Sequence, residues 1–143
     1  MQKITSIIFI SLLTASCSTQ PYVRYKSPAI NGKLLINEIA ASNIPVFLSL
    51  DASDTECAQF TQRSTTNDLG RFLLPAEKQQ MSYTPLMTYY LDEWTVCAEI
   101  NGERRLIYSN NHYGMSGTPH AIRLSCHIPS KNNQSPCQQT LDE

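Results

Sequence analysis

Two histidines in segment 110–120 come closest, by type and spacing, to a metal or catalytic site. Imidazole is a common metal ligand and general base, and His112 and His120 lie near enough in sequence to act together. A metal site would need a third ligand such as Asp68 or Glu103, and neither has the close spacing of a metal-binding motif. We therefore interpret both histidines as solvated loop residues and predict neither a metal nor a cofactor.

The other groups that could take part in catalysis also lack the pattern that catalysis requires. Ser116 is followed directly by a glycine, whereas a nucleophile elbow has one residue between the two and leads from a strand into a helix. Asp51, Asp54 and Glu56 lie close in sequence, but catalytic carboxylates also need a cleft around a substrate. We interpret these acids as an acidic turn and predict that the protein is not an enzyme.

The N-terminal residues 1–16 indicate an export signal. Lys3 supplies a positive charge, residues 4–13 are mainly apolar, and the small residues 14–16 (TAS) follow. This order is typical of a secretory signal peptide, and the apolar run is too short to remain across a bilayer.

Cys17 follows this segment directly. Residues 12–17 (LLTASC) resemble the lipobox of bacterial lipoproteins, apart from Thr14, where a leucine is usual. The resemblance implies that the Cys17 thiol carries diacylglycerol and that its amine takes a further acyl chain, which together anchor a protein stably. Ser18, where aspartate would retain a lipoprotein in the inner membrane, implies the outer membrane and a periplasm-facing domain. The alternative is an ordinary secreted protein with a chance cysteine at the cleavage site.

Residues 17–28 are predicted to be a flexible tether. Pro21 and Pro28 favour extended conformations in the residues that precede them. Arg24 and Lys26 could lie against anionic headgroups, although a simple spacer is the favoured interpretation.

Four further cysteines remain, namely Cys57, Cys97, Cys126 and Cys137. An even set in an oxidising compartment predicts two disulfides, and the sequence alone leaves three pairings open. Strand alternation, with Ala58 and Phe60 pointing inward, favours Cys57–Cys97 on the outer face of a sheet. Cys126–Cys137 would then tie the tail to the last strand. A zinc site is disfavoured because the closest Cys/His neighbours, Cys126 and His127, would point to opposite faces of a strand.

The clearest strand covers residues 94–100, in which Trp94, Val96, Ala98 and Ile100 should face inward. Asn-Gly at 101–102 predicts a hairpin to a return strand at 103–109. Residues 121–128 form the last predicted strand. Others are predicted at 32–36, 44–50, 55–66, 71–74 and 87–91, with a loop or short helical turns at 76–85 and a tail at 129–143, disordered beyond residue 137.

Residues 65–75 (TTNDLGRFLLP) carry the strongest turn pattern. Asn67, Asp68 and Gly70 are turn residues, and strand, tight turn, strand is the natural interpretation. Together with the preceding glycine and Pro-Val strands, this stretch resembles the transthyretin-like, carboxypeptidase regulatory-like domain. The resemblance implies an all-β antiparallel sandwich of about seven strands over residues 29–128, and it implies almost nothing about activity.

The composition of the chain argues against some classes of binding partner. The 11 basic and 12 acidic residues give no excess charge for nucleic acid, and no second apolar run is long enough to cross a membrane. Tyrosine suits protein interfaces, so Tyr89, Tyr90, His112 and Tyr113 are interface candidates; the alternative is that the tyrosines pack at the edge of the core.

We therefore expect a non-catalytic outer-membrane lipoprotein that presents a sandwich domain to a protein partner or an envelope assembly. One alternative is an immunity lipoprotein that neutralises a toxin acting in the periplasm. A second is a small metal-dependent or hydrolytic enzyme, which would need a pocket joining His112, His120 and a carboxylate. A third, a glycan-binding sandwich that stacks sugars on Trp94, is disfavoured because alternation places Trp94 inside.

Overall fold

The computed structural model describes residues 21–82, 92–110, 118–129 and 135–140, and every regular element in those ranges is a β-strand. The all-β prediction is confirmed, with more strands than the seven expected. The strands are β1 (Tyr22–Tyr25), β2 (Ala29–Ile36), β3 (Ile39–Ala40), β4 (Pro45–Ser49), β5 (Phe60–Thr65), β6 (Arg71–Leu74), β7 (Lys78–Met81), β8 (Trp94–Ile100), β9 (Glu103–Asn110), β10 (Ala121–Ile128) and β11 (Cys137–Thr140).

Two larger sheets and one ribbon contain these strands. In the first sheet the order is β11-β10-β2-β3, and β6 also pairs with β2; the second sheet has the order β5-β4-β8-β9; β1 and β7 form the ribbon. Neighbouring strands are antiparallel, except that β10 runs parallel to β2 along its full length. Within the same ranges, no helix is long and apolar enough to cross a membrane.

The hydrophobic core lies between the two larger sheets. Strand β8 contributes Trp94, which is 2% exposed, together with Val96, Ala98 and Ile100, so the predicted inward face of this strand is confirmed. Across the core lie side chains of β2, β6, β10 and β11: Ile30, Leu34, Phe72, Leu74, Ile122, Leu124, Cys126 and Cys137. The predicted hairpin is also confirmed, because Ile100 pairs with Glu103 and both residues between them have positive φ, as a type I′ turn requires.

The turn at 67–70 has the predicted residues and joins two strands, β5 and β6. The side-chain oxygen of Asn67 accepts hydrogen bonds from the backbone N–H groups of Leu69 (3.0 Å) and Arg71 (2.9 Å), and Gly70 has a φ of 72°. The predicted order of strand, turn and strand is confirmed by β5 and β6, but the two strands lie in different sheets, since β5 lies in the second sheet and β6 pairs with β2 in the first. Burial explains the change of sheet: Phe72 packs over Gly32 of β2, and Leu74 is fully buried.

The ordered sandwich extends beyond the predicted limits at both ends. Strand β1 lies inside the predicted tether and pairs with β7, which lies in the segment predicted as a loop or short helical turns. Strand β11 lies in the predicted tail and pairs with β10. The predicted strand at 87–91 lies outside the described residues.

Candidate functional surface

The loop at 50–59 packs on the outer face of the second sheet and is linked to that sheet by a disulfide. Cys57 of the loop is bonded to Cys97 of β8, with Cα atoms 6.0 Å apart. Both cysteines are fully buried and, with Phe47, form a cluster separate from the main core. The bridge therefore lies on the outer face, as the alternation predicted.

The other cysteines join in the second preferred pair, Cys126–Cys137. One part of the reasoning for the first pair was wrong, because Ala58 is exposed and Phe60 is 42% exposed rather than inward-facing. Strand β5 begins only at Phe60, so Cys57 belongs to the loop, where its φ is 48°.

Asp54 organises this loop. Its carboxylate accepts hydrogen bonds from the backbone N–H groups of Ala58 and Gln59, each at 2.8 Å, and from the hydroxyl of Ser49 at 2.9 Å. Burial acts to raise the pKa of Asp54, but the hydrogen bonds from Gln59, Ala58 and Ser49 outweigh it and lower the pKa below its ordinary value. The carboxylate therefore serves the loop's own structure.

The acids beside Asp54 also make local contacts. The Asp51 carboxylate accepts bonds from the hydroxyl and the N–H of Ser53, at 2.6 and 2.8 Å, and these bonds lower the pKa of Asp51. From beneath, the buried hydroxyl of Thr95 is 3.2 Å from the backbone carbonyl of Asp51 and 3.3 Å from that of Asp54. This pattern is that of an acidic turn held on a sheet.

Beside the loop, aromatic rings and guanidinium groups stack on the same sheet face. The Arg104 guanidinium carbon lies 4.1 Å from the ring centroid of Phe47 and 5.1 Å from that of Phe60. The two rings meet edge to face, with centroids 5.0 Å apart, and the Arg63 guanidinium carbon lies 5.6 Å from the Phe47 centroid. We call Phe60, Arg63 and Arg104, which surround the buried ring of Phe47, the arginine–phenylalanine surface.

Polar contacts hold Arg104 in this stack. One of its terminal nitrogens donates to the backbone carbonyl of Cys57 at 3.1 Å, and its Nε lies 3.4 Å from a carboxylate oxygen of Glu99. An open depression of about 460 Å³ beside it is lined by Glu56, Ala58, Glu103 and Arg104. The surface thus combines a half-exposed phenyl ring, two guanidinium groups and an adjoining depression lined partly by carboxylates.

A second group of side chains lies on the outer face of the first sheet. Ser125 and His127 are two residues apart in β10, so their side chains lie on the same face of the strand. The serine hydroxyl oxygen lies 3.5 Å from Nε2 of His127. On the other side of the ring, Nδ1 lies 3.7 Å from a carboxylate oxygen of Glu38. The order hydroxyl, imidazole, carboxylate is that of a nucleophile, its base and an orienting group, although both distances exceed the contacts of about 2.6–3.2 Å found in active sites.

The sequence prediction missed this group because Glu38 comes from a distant turn, in which it has a φ of 66°. The serine and histidine two residues apart on a predicted strand were the available signal. A depression of about 300 Å³ next to them is lined by β10, β11 and the residues before β11.

Several predicted site residues lie outside the described ranges: Cys17, Tyr89, Tyr90, His112 and Tyr113. Ser116, which lacks the sequence context of a nucleophile, also lies outside them. His120 is described and stacks on Tyr25, with ring centroids 4.5 Å apart. Among the described side chains, no three of His, Cys, Asp and Glu come together as a metal site.

Trp94, the candidate for stacking sugars, is buried against Tyr108, with ring centroids 5.3 Å apart. Burial raises the pKa of Tyr108, whose hydroxyl lies 3.4 Å from the side-chain oxygen of Gln139.

Compared with known proteins, the chain matches no protein-family model and no curated protein.

Proposed function

We propose that the protein is an outer-membrane lipoprotein, anchored through Cys17, that presents its β-sandwich to the periplasm and binds a protein partner or an envelope assembly through the arginine–phenylalanine surface. The observation that carries the interaction is the half-exposed ring of Phe60 beside the stacked guanidinium of Arg104. Arginine and aromatic side chains are enriched at protein interfaces, and a pre-positioned guanidinium loses little entropy on binding.

Two features of the molecule support the rest of the proposal. Residues 1–17 have the order of a signal peptide followed by a lipid-accepting cysteine. The two disulfides suit a protein that folds in an oxidising compartment such as the periplasm. The two-sheet architecture is compatible with the transthyretin-like scaffold, which would act here as a rigid support.

Site-directed photo-cross-linking in the native envelope tests the interaction. A photoreactive residue at Phe60 should give a discrete protein adduct, and the same residue at Leu73, which is 55% exposed on the first sheet, is the matched control. Arg63→Ala should reduce the Phe60 adduct without loss of folded protein. Equal adducts from both positions, or none from Phe60, would contradict the proposed surface.

The identity of the adduct also separates two forms of the proposal. A structural envelope protein would support an assembly role, whereas a secreted toxin would support an immunity role. Incorporation of radiolabelled palmitate tests the anchor independently: label should enter the wild-type protein and be absent from Cys17→Ser. Label retained by that variant would refute the anchor.

A second candidate function is ester hydrolysis, favoured by the alignment of Ser125, His127 and Glu38. In such a reaction the Ser125 oxygen would attack the carbonyl carbon, His127 would take the hydroxyl proton and pass it to the leaving alcohol, and water would then release the acyl group. A fluorophosphonate probe should label Ser125 if the hydroxyl is activated. Labelling that is absent, or unchanged in Ser125→Ala, would leave no support for this candidate.

A further inference from the structure

The β1–β7 ribbon has exposed apolar side chains at one end. Tyr22 is 42% exposed and Val23 is 47% exposed, whereas Arg24 and Tyr25, further along the strand, are partly buried. Met81 of β7 pairs with Tyr22, so this end is where β1 begins and β7 finishes. We call Tyr22 and Val23 the ribbon tip.

Contacts at the other end, the ribbon root, fix the ribbon to the sandwich. Tyr25 stacks on His120, with ring planes 25° apart. Arg24 forms an ion pair with Asp92, and these side chains are only 15% and 11% exposed. The second oxygen of Asp92 accepts a hydrogen bond from the Thr118 hydroxyl at 2.8 Å. Because a two-stranded ribbon is only marginally stable alone, these contacts are what hold its direction.

The ribbon tip lies close in sequence to the proposed anchor. Tyr22 is five residue steps from Cys17. An extended chain advances at most about 3.6 Å per residue, so the Tyr22 Cα lies within about 18 Å of the Cys17 Cα. A cysteine whose acyl chains are in the bilayer lies at the headgroup layer, which is roughly 5–8 Å thick on each side. The ribbon tip is therefore within reach of that layer.

The chemistry of the ribbon matches a lipid surface. Tyrosine prefers the membrane interface, where its ring is shielded and its hydroxyl remains hydrated. The nearby cation is at the root instead: the amine of Lys78 lies 5.2 Å from the ring centroid of Tyr25, with which Lys78 pairs. Three residue steps of strand, about 10 Å, separate Tyr25 from Tyr22, so the membrane contact of the tip rests on Tyr22 and Val23. Arg24, which the sequence suggested for headgroup binding, is instead paired with Asp92.

We propose that the ribbon tip lies in the headgroup layer of the same membrane that holds Cys17, so that the sandwich has a fixed orientation with its ribbon end toward the bilayer. This inference rests on the proposed lipid anchor. The proposed orientation also predicts which end of the sandwich faces away from the bilayer, namely the end of β2 that is distant from the ribbon root. Ala29, at the start of β2, donates to the carbonyl of His120 at the root, while Ile36, at the end of β2, pairs with Ile39. Seven residue steps of strand separate these ends by about 23 Å.

Depth-dependent fluorescence quenching tests this orientation. The full-length lipidated protein, carrying either Tyr22→Trp or Ile39→Trp, is placed in phosphatidylethanolamine–phosphatidylglycerol vesicles whose acyl chains carry bromine near the headgroup. Ile39 is 72% exposed, so its variant is a matched surface control, and the buried Trp94 gives both variants the same background. Tyr22→Trp should lose fluorescence and shift to the blue on reconstitution, and Ile39→Trp should do neither.

Flotation of the same vesicles separates the two hypotheses. If the protein floats with the vesicles and Tyr22→Trp is quenched no more than Ile39→Trp, the anchor is retained and the orientation is overturned. If the wild-type protein carries no lipid and does not float, the proposed anchor fails and the orientation fails with it. A blue shift of Tyr22→Trp that appears only when periplasmic proteins are added would assign the tip to a protein partner and overturn the lipid assignment.

Discussion

The guanidinium carbon of Arg104 lies over Phe47, 4.1 Å from the ring centroid, while the same group donates a hydrogen bond to the carbonyl of Cys57. One side chain of β9 thus touches both the aromatic ring on β4 and the loop that is bonded to β8. A planar cation suits this position, because it can stack and donate in its own plane at the same time.

Replacing Arg104 by lysine should therefore destabilise the protein although the charge is kept. We expect Arg104→Lys to lower the free energy of unfolding by about 1–2 kcal/mol, through loss of the stack and of the bond to Cys57. Arg105→Lys is the matched control, since Arg105 is 58% exposed and pairs only at the surface with Glu103. Urea denaturation measures both variants, and equal losses would contradict the role given to Arg104.

Removal of each disulfide should destabilise the protein by a different amount. Cys57 and Cys97 are 40 residues apart, and Cys126 and Cys137 are 11 apart. If restriction of the unfolded chain dominates, the paired Cys→Ala variants should lose about 4 and about 3 kcal/mol respectively. Urea denaturation of the two double variants shows which disulfide contributes more to the free energy of unfolding. A larger loss for the shorter loop would indicate that packing of Cys126 and Cys137 in the core outweighs chain entropy.

The sequence pattern predicted those elements in which the local alternation of apolar and polar residues matches the burial found in the fold. In β8, apolar and polar residues alternate from Trp94 to Ile100, and the same residues fill the core. The Asn-Gly pair that follows strongly favours a tight turn of the kind found there. The bridge on the outer face followed from the same alternation, because Cys97 is out of phase with Trp94 and Val96.

Features that depend on distant contacts were not predictable in this way. Strand β7 has the sequence KQQM, in which no apolar alternation exists, and β1 is short and follows a proline. These strands are held by Arg24 with Asp92 and by Tyr25 with His120, contacts that join residues far apart in sequence. Likewise, the turn after Asn67 is locally specified, but its residues do not determine which sheet β6 joins.

Two glycines with positive φ should respond differently to alanine. Gly102 has a φ of 81° and nothing within 4 Å of the position a Cβ would occupy, so Gly102→Ala should cost about 1 kcal/mol for the backbone alone. Gly70, at 72°, would place a Cβ against the carbonyl oxygen of Leu34, so Gly70→Ala should cost clearly more. Thermal and urea unfolding of both variants tests this. Equal costs would show that the turn can move away from Leu34.

The hydrogen bonds to Asp54 should make the free energy of unfolding depend on pH in the acidic range. Since the pKa of Asp54 is lowered in the folded protein, its carboxylate stabilises the fold fully above the ordinary pKa of 3.8, and this contribution is lost as pH falls through the folded pKa. We expect Asp54→Asn to be less stable than wild type at pH 7 and the difference to shrink below about pH 4. Glu56→Gln removes a negative charge from the same loop without removing these bonds, and serves as the control. Urea denaturation at several pH values measures the difference. A gap between wild type and Asp54→Asn that stayed constant down to the lowest pH would mean that the amide bonds from Ala58 and Gln59 do not depend on the carboxylate charge.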